Sequence, residues 1–183
     1  MNSIESLQEK YENLIVELIP DYNQRLLEGE KKKHLEQFYV SKLIQKLGFK
    51  NEIDHHDNGQ PFLINHPDLF VSISHSNGYV ALVVAVYPIG IDIETPHPRI
   101  QQGSDYFLNS NEQIFRENLE HLHLIWGAKE AIYKLKSGLI TDLRDEVSIT
   151  KIDSKKIYAS LNNAIYECDY VSGKDFTLVV VQE

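Results

Sequence analysis

The apolar residues of the first half follow a helical spacing and then change to strand patterns. In residues 30–47 they recur every three or four positions: Leu35, Phe38, Tyr39, Leu43, Ile44 and Leu47. This spacing predicts a helix, with Gly48 as its C-cap. "LFVSIS" and "GYVALVVAVY" then predict two strands. The segment His75–Gly78 between them predicts a hairpin turn, because Asn-Gly tolerates positive φ. The second strand is apolar throughout and should lie centrally, covered on both faces.

The second half repeats this order of helix and strands. "IGIDIE" (89–94) predicts an extended segment, followed by a helix at about 110–120, where Ser110 and Gln113 can form a capping box. A second helix is expected at about 121–137, ending at Gly138. Four strand-like segments then predict an antiparallel meander: "EVSITKI", "KIYASL", "AIYECDY" and "DFTLVVVQ".

The alternation of helix and strands predicts an α+β fold made of two similar halves, each a helix packed on an antiparallel sheet. We place the boundary between residues 1–88 and 89–183. Periodicity alone does not show that the second half duplicates the first.

Composition narrows the class of protein. The chain has 183 residues, a formal charge of −9 and one cysteine. Its longest apolar run, Val80–Val86, is too short to cross a bilayer, and no signal-peptide pattern opens the sequence. We therefore expect a cytoplasmic protein without a membrane partner. The acidic charge also argues against a nucleic-acid partner.

Two carboxylates at the end of "IGIDIE" are the first candidates for chemistry. Residues two apart on a strand point to one face, so Asp92 and Glu94 should lie together, with Ile91 and Ile93 turned into the core. Close carboxylates repel unless a proton or a cation lies between them, and Mg²⁺ prefers such oxygen ligands. The alternative is a pair of solvated acids at a strand end.

The segment "WGAKEAIYKLKSG" (126–138) supplies a third carboxylate and two cations. Glu130 and Lys134 are four residues apart on one helical face, and Lys129 adjoins Glu130. An ordinary surface ion pair explains Glu130 and Lys134 equally well. A metal-phosphate site needs the same groups, with the carboxylate as ligand and the lysines opposing phosphoryl charge.

Histidines offer two further readings. His75, between Ser74 and Ser76, belongs to a cluster of donors that suits a phosphate, although a histidine at a turn is more often structural. Zinc is disfavoured for the pairs His55–His56 and His121–His123, since adjacent histidines usually face apart and no second cysteine exists.

Taken in order, "VSISHS", "GIDIE" and "WGAKEAIYK" resemble the signatures of the 4′-phosphopantetheinyl transferase superfamily. Each motif alone is modest, but the three stand in the order of the family, across residues 71–134. The helix at 30–47 and "NGQPFL" are weakly similar to its N-terminal half. A full half of helix and strands precedes "GIDIE", and in this the chain resembles the surfactin-type branch. Members of that branch are single-chain pseudo-dimers with the active site between the halves, so we expect a monomer.

The resemblance implies a role for each matching residue. It implies Asp92, Glu94 and Glu130 as Mg²⁺ ligands, with Glu130 also the base for the carrier serine. It implies Lys134 as a catalytic and coenzyme A-binding lysine. The remaining coenzyme A-binding residues that it implies are Ser74, His75, Lys129 and Lys33. The loop Gly59-Gln60-Pro61 departs from the Gly-Lys-Pro of the family, and Lys31, Lys32 or Lys33 can compensate.

The implied activity is Mg²⁺-dependent transfer of 4′-phosphopantetheine from coenzyme A to a serine of an apo acyl or peptidyl carrier protein, releasing 3′,5′-ADP. The residues 1–88 would then bind the nucleotide, and residues 89–183 the metal. A non-catalytic carrier-binding protein and a Mg²⁺-dependent phosphohydrolase are the alternatives. For carrier docking we expect a surface on the C-terminal half: Phe107, Leu108, Ile114, Phe115, Arg116 and Lys136.

Overall fold

A computed structural model describes residues 2–50 and 53–183. The helices are α1 (Ile4–Lys10), α2 (Tyr22–Leu27), α3 (Lys32–Lys46), α4 (Arg99–Gln102), α5 (Leu119–Leu135) and α6 (Leu143–Glu146), with 3₁₀ turns at Ser104–Tyr106 and Gln113–Phe115. The strands are β1 (Leu14–Leu18), β2 (Ile53–His55), β3 (Pro61–Leu63), β4 (Phe70–Ser76), β5 (Tyr79–Ala85), β6 (Ile89–Glu94), β7 (Ser148–Ile152), β8 (Lys156–Leu161), β9 (Ala164–Ser172) and β10 (Thr177–Gln182).

The strands form two main antiparallel sheets and a small hairpin. The first sheet has the order β1-β5-β4, and the second has the order β6-β10-β9-β8-β7. The strands β2 and β3 pair only with each other in the described residues. The expected α+β class, with helices packed on antiparallel sheets, is therefore confirmed.

Strand β5 is central, as its apolar sequence predicts. Its side chains at Val80, Leu82 and Val84 join the core beneath α3. Those at Ala81 and Val83 join a second core that lies between the two sheets. Because both faces of β5 are buried, a strand without polar alternation is stable at this position.

Helix α5 packs very closely on the second sheet, and Gly90 makes this possible. A Cβ atom at Gly90 would lie 1.9 Å from the carbonyl oxygen of Ala131 and 2.8 Å from the backbone nitrogen of Leu135. The helix backbone therefore occupies the space that any side chain at position 90 would need. This approach sets the distance between α5 and the carboxylates further along β6.

The two sheets meet where β6 runs beside β4 without a shared backbone ladder. Ser72, Ser74 and Ser76 point from β4 toward β6, and we call these three residues the serine seam. The Ser72 hydroxyl accepts a hydrogen bond from the Ile91 backbone N–H at 3.0 Å. Side-chain oxygens thus satisfy backbone groups that a neighbouring strand would otherwise bind.

The chain start also contacts the C-terminal half. The Tyr11 hydroxyl donates to Asp169 Oδ2 at 2.6 Å, and Lys10 forms an ion pair with the same carboxylate. The apolar pattern did not predict helix α1 or strand β1. The end of α1 thereby contacts β9 of the second sheet, while β1 pairs with β5 of the first. Within the described residues no helix has the length and apolar character needed to span a membrane.

Most predicted elements are confirmed. The helix at 30–47 is α3, followed by Gly48 at φ +89°, and the four C-terminal strands form the expected meander. The turn of the first hairpin is shorter than predicted, since Asn77 and Gly78 alone have positive φ and His75 lies within β4. Residues 51 and 52 of the polar loop lie outside the described residues.

The helix predicted at 110–120 is wrong. Residues Gln113–Phe115 form only a 3₁₀ turn. Asn118, rather than Ser110, caps the following helix, since its side chain accepts from the His121 N–H at 3.0 Å. A single strong cap immediately before the apolar stripe of α5 starts that helix two residues earlier than predicted.

The Gly90 contact gives a direct test of the packing. We expect Gly90→Ala to destabilise the fold by at least about 3 kcal/mol, because the methyl group meets rigid helix backbone. Urea unfolding followed by circular dichroism measures this change. Gly103→Ala is the matched control, since its nearest contact is 3.8 Å away and its φ is −89°. Equal stability of the two variants would contradict the close packing described above.

Candidate active site at the seam between the sheets

A cavity with a volume of about 690 Å³ opens between the first sheet and helix α5. Its walls come from α3, the β2–β3 hairpin, β4 and the C-terminal half of α5. Six lining residues matter for chemistry: Lys33, Glu36, Gln60, His75, Glu130 and Lys134. The cavity therefore gathers candidates from both halves of the sequence.

Asp92 lies on β6, next to the cavity-lining residue Lys134, and is 3% exposed. Its Oδ1 accepts hydrogen bonds from the Ser74 hydroxyl at 2.8 Å and from Lys134 Nζ at 2.7 Å. Its Oδ2 is the buried side-chain oxygen that lacks a hydrogen-bond partner in the described part of the chain. A buried carboxylate oxygen without a donor is costly, so this atom is a natural place for a cation.

Glu94 is held by donors from both halves of the chain. The Ser76 hydroxyl donates to Oε2 at 3.0 Å, and the Trp126 indole N–H donates to Oε1 at 3.1 Å. Burial and then the nearby Asp92 carboxylate raise the pKa of Glu94, although these two donors oppose the shift. The site therefore disfavours the charged form of Glu94 unless positive charge is added.

Glu130 is the third member of the acidic cluster. Burial raises its pKa, the Asp92 charge raises it further, and Lys134 opposes both effects. Its side chain lines the large cavity, whereas Asp92 and Glu94 lie behind it on β6. The charge of Glu94 also raises the pKa of Glu130, after burial and Asp92.

The chemical type of these three side chains suits a hard divalent cation. They offer carboxylate oxygens only, of the type that Mg²⁺ prefers, and one of them is buried without a partner. A Cβ at Gly127 would lie 3.6 Å from that Oδ2, so the glycine leaves space beside it. As the side chains stand, however, no three His, Cys, Asp or Glu residues within 2–50 and 53–183 converge on one metal position.

Lys134 places a cation beside Asp92. Its ammonium group donates to Asp92 Oδ1, to Ser74 Oγ at 3.0 Å and to the Ile91 carbonyl at 3.1 Å. It therefore supplies the positive charge that the cluster needs, at the edge of the cavity. The lysine side chain is 26% exposed, so it also remains accessible to a ligand in the cavity.

Ser74 and His75 are neighbours in sequence but face different partners. The Ser74 hydroxyl is turned to Asp92 and Lys134, and the residue is 7% exposed. The His75 side chain is 45% exposed and lines the cavity, with Nδ1 3.4 Å from Glu36 Oε1. Alternation along β4 thus gives the histidine to the cavity and the serine to the carboxylates.

Glu36 was missed by the reasoning from sequence. It is 6% exposed on α3 and faces Lys32 as well as His75. In the sequence it follows three consecutive lysines, a pattern typical of a solvent-exposed helix face. Only the packing of α3 onto the first sheet brings this carboxylate against β4.

The loop that carries Gln60 reaches across the cavity. The Asn58 side chain donates to the Ser137 carbonyl at 2.8 Å, which joins the β2–β3 hairpin to the end of α5. Gln60 and Lys33 both line the cavity. The departure from the family loop therefore changes the wall of this cavity, where Lys33 supplies a cation.

Lys129 was expected to contact coenzyme A, but its side chain does not line the cavity. It is 0% exposed, and its Nζ donates to Glu112 Oε2 at 2.8 Å, to the Phe107 carbonyl at 2.7 Å and to the Arg144 carbonyl at 3.1 Å. Burial lowers its pKa, while Glu112 opposes this shift. Adjacent helical residues point about 100° apart, so Lys129 and Glu130 serve different sides of α5.

The expected docking surface is wrong in part. Phe107 and Leu108 are 3% and 2% exposed and belong to the core under α5. Ile114 is 82% exposed. Arg116 pairs with Asp105 at 2.7 Å, and Lys136 pairs with Glu183, so both cations already have acidic partners.

Three of the four paired histidines contact neighbouring rings or backbone groups. His123 Nε2 accepts from the His97 backbone N–H at 3.2 Å, and its Nδ1 lies 2.7 Å from the Leu119 carbonyl. His56 stacks on Phe62, and His121 lies edge-on to Phe115.

The family model of the 4′-phosphopantetheinyl transferase superfamily matches residues 88–181 of the 183-residue chain. The matched segment contains Asp92, Glu94, Glu130 and Lys134. A search of curated proteins finds no match to this chain.

The burial of Lys129 leads to a prediction about stability. We expect Lys129→Met to destabilise the fold by about 3–5 kcal/mol, because it leaves the buried Glu112 carboxylate without its cation. The double variant Lys129→Met/Glu112→Gln should recover part of this loss. Urea midpoints of the wild type and the two variants measure the effect. A Lys129→Met protein as stable as the wild type would show that the buried pair is unimportant.

Proposed function

Because the chain belongs to the 4′-phosphopantetheinyl transferase superfamily, we propose that it transfers the 4′-phosphopantetheine group of coenzyme A to a serine of an apo acyl or peptidyl carrier protein. The observation that carries this proposal is the acidic group of buried Asp92 and partly buried Glu94 and Glu130, of which Glu130 lines a cavity of about 690 Å³. A cavity of this size lies in the usual range for cofactor-sized ligands.

We assign the two halves of the sequence to the two ends of coenzyme A. Residues 1–88 would bind the nucleotide, and residues 89–183 would hold the metal and the reacting groups. The family match begins at residue 88, close to the proposed boundary. The presence of two antiparallel sheets, each carrying a helix, supports a pseudo-dimer of the surfactin type. We further propose that it acts as a monomer in the cytoplasm.

The cations of the cavity would meet the phosphates. Lys33 and His75 line the nucleotide side, and Lys134 lies next to Asp92. Ser74 touches Lys134 and Asp92, so we assign it the indirect role of orienting these two groups. With Gln60 in the loop, Lys33 supplies the charge that the family lysine would provide.

Asp92, Glu94 and Glu130 would hold Mg²⁺, and the unpartnered Asp92 Oδ2 supports this assignment. When bound, Mg²⁺ supplies positive charge that offsets the charge of the pyrophosphate. Since Glu94 is fixed by Ser76 and Trp126, we infer that Glu130, on the cavity wall, is the ligand that turns toward the other two.

The protein residues would orient the reactants and move one proton. The carrier serine oxygen forms a bond to the β-phosphorus of coenzyme A as the bond from that phosphorus to the bridging oxygen breaks. The electron pair leaves with 3′,5′-ADP. Glu130 would accept the hydroxyl proton, since it is the one of the three acids whose side chain lines the cavity. Lys134 would stabilise charge on the phosphoryl oxygens.

Transfer can be measured directly. Incubation of the protein with coenzyme A, Mg²⁺ and an apo carrier should add one phosphopantetheine mass to the carrier. We expect Glu130→Gln to reduce the rate by about 10²- to 10⁴-fold, as loss of a general base does, and Asp92→Asn to abolish transfer. Glu167→Gln, at an exposed position of β9 in the second sheet, is the control and should retain the wild-type rate.

The outcomes separate the alternatives. Carrier binding by the wild type without a gain in mass would indicate a non-catalytic binding protein. Breakdown of coenzyme A in the absence of carrier would indicate a phosphohydrolase. Wild-type rates for Glu130→Gln or Asp92→Asn would contradict the residue roles even if transfer itself is observed.

His75 should act on binding rather than on chemistry. We expect His75→Ala to raise KM for coenzyme A about tenfold or more with a small change in kcat, since a hydrogen bond to a charged group contributes about 1.5–3 kcal/mol. Steady-state kinetics with coenzyme A and with 3′-dephospho-coenzyme A measure this. The wild type should prefer coenzyme A, and His75→Ala should lose most of that preference. An unchanged preference would remove His75 from the phosphate site.

A further inference from the structure

We propose that Ser76 is a positioning residue for the metal site, fixing Glu94 from the opposite half of the sequence and thereby setting how tightly the acidic cluster holds a divalent cation. The inference rests on the proposed function, because it takes Glu94 to be a metal ligand. It concerns a residue that touches neither the cavity wall nor, on this assignment, the cation itself.

The geometry at Ser76 favours one orientation of its hydroxyl. A serine hydroxyl has one proton to donate and two lone pairs that accept. The Thr95 backbone N–H donates to Ser76 Oγ at 3.1 Å and so uses a lone pair. The Thr95 hydroxyl oxygen, 3.3 Å from Ser76 Oγ, can donate as well as accept. The Ser76 proton therefore points to Glu94 Oε2 at 3.0 Å, because a carboxylate oxygen accepts only.

The Glu94 carboxylate is thereby held at both oxygens. Ser76 binds Oε2 from β4, and the Trp126 N–H binds Oε1 from α5. Each oxygen keeps a lone pair free, so the two donors orient the carboxylate without blocking it. Groups that orient a ligand in this way commonly change metal affinity by about 10- to 100-fold when they are removed.

The serine seam divides this work among its members. Ser72 binds the Ile91 backbone and therefore holds the two strands together. Ser74 binds Asp92 and Lys134, and Ser76 binds Glu94 and Thr95. Because β4 presents these three hydroxyls at every second residue, the spacing of the carboxylates on β6 is matched by donors on the neighbouring strand.

The test measures Mn²⁺ binding to the full chain, without coenzyme A or carrier, by the loss of the free-ion paramagnetic resonance signal. We expect Ser76→Ala to weaken binding about 10- to 100-fold. Ser76→Thr keeps the hydroxyl and should restore most of the affinity. Ser160→Ala, on β8 of the second sheet, should bind Mn²⁺ as tightly as the wild type does. Glu94→Ala should bind Mn²⁺ weakly.

Thermal unfolding in chelator identifies a temperature at which all variants are folded, and binding is compared there. Equal Mn²⁺ affinity of Ser76→Ala and the wild type would overturn the inference, as would a loss that Ser76→Thr fails to restore. A wild type that does not bind Mn²⁺, or binds it independently of Glu94, would overturn it as well. Failure of the carrier assay, with these affinities as expected, would instead contradict transfer alone.

Discussion

The edge that β6 turns toward β4 is the contact on which the rest of the structure depends. Strand β6 pairs with β10 on one side, and on the other side its backbone meets serine hydroxyls: Ser72 accepts from Ile91, and Ser76 accepts from Thr95. A buried backbone N–H without a partner costs about as much as a lost hydrogen bond. The hydroxyls therefore allow two separate sheets to be joined, and on the same strand Ser74 and Ser76 reach the carboxylates of Asp92 and Glu94.

Close packing behind this edge determines where the chemistry lies. Gly90 lets the α5 backbone approach β6, and further along the same pair of elements Gly127 leaves space beside Asp92. The cluster is then buried enough to raise the pKa of Glu94 and of Glu130, yet Glu130 still opens to the cavity. Within the part of the chain that the structure describes, Asp92 Oδ2 is buried without a hydrogen-bond donor. Such unsatisfied polar atoms are expected mainly at functional sites.

The positive charges on α5 show how one helix serves two purposes. Lys134 lies one turn after Glu130 and faces the seam, where it contacts Asp92 and Ser74. Lys129, one residue before Glu130, is sealed in the core against Glu112. A buried pair of this kind is weak support for stability in itself, but removal of either partner leaves an uncompensated charge. The same helix therefore carries a cation for the proposed ligand and a cation for its own packing.

The amino-acid sequence by itself determined the major elements and the acids of the site. The periodicity of 30–47 and the apolar run of β5 predicted α3 and the central strand, because burial of an apolar face requires those spacings. The alternation in "IGIDIE" separated Asp92 and Glu94 from Ile91 and Ile93, which are both 0% exposed.

Tertiary structure decided what the pattern leaves open. Glu36 meets His75, Ser76 meets Glu94, and Lys129 is buried while Lys134 is not. These pairings join residues far apart in the chain, and they depend on which strand edges and helix faces pack together, a choice that no local period contains.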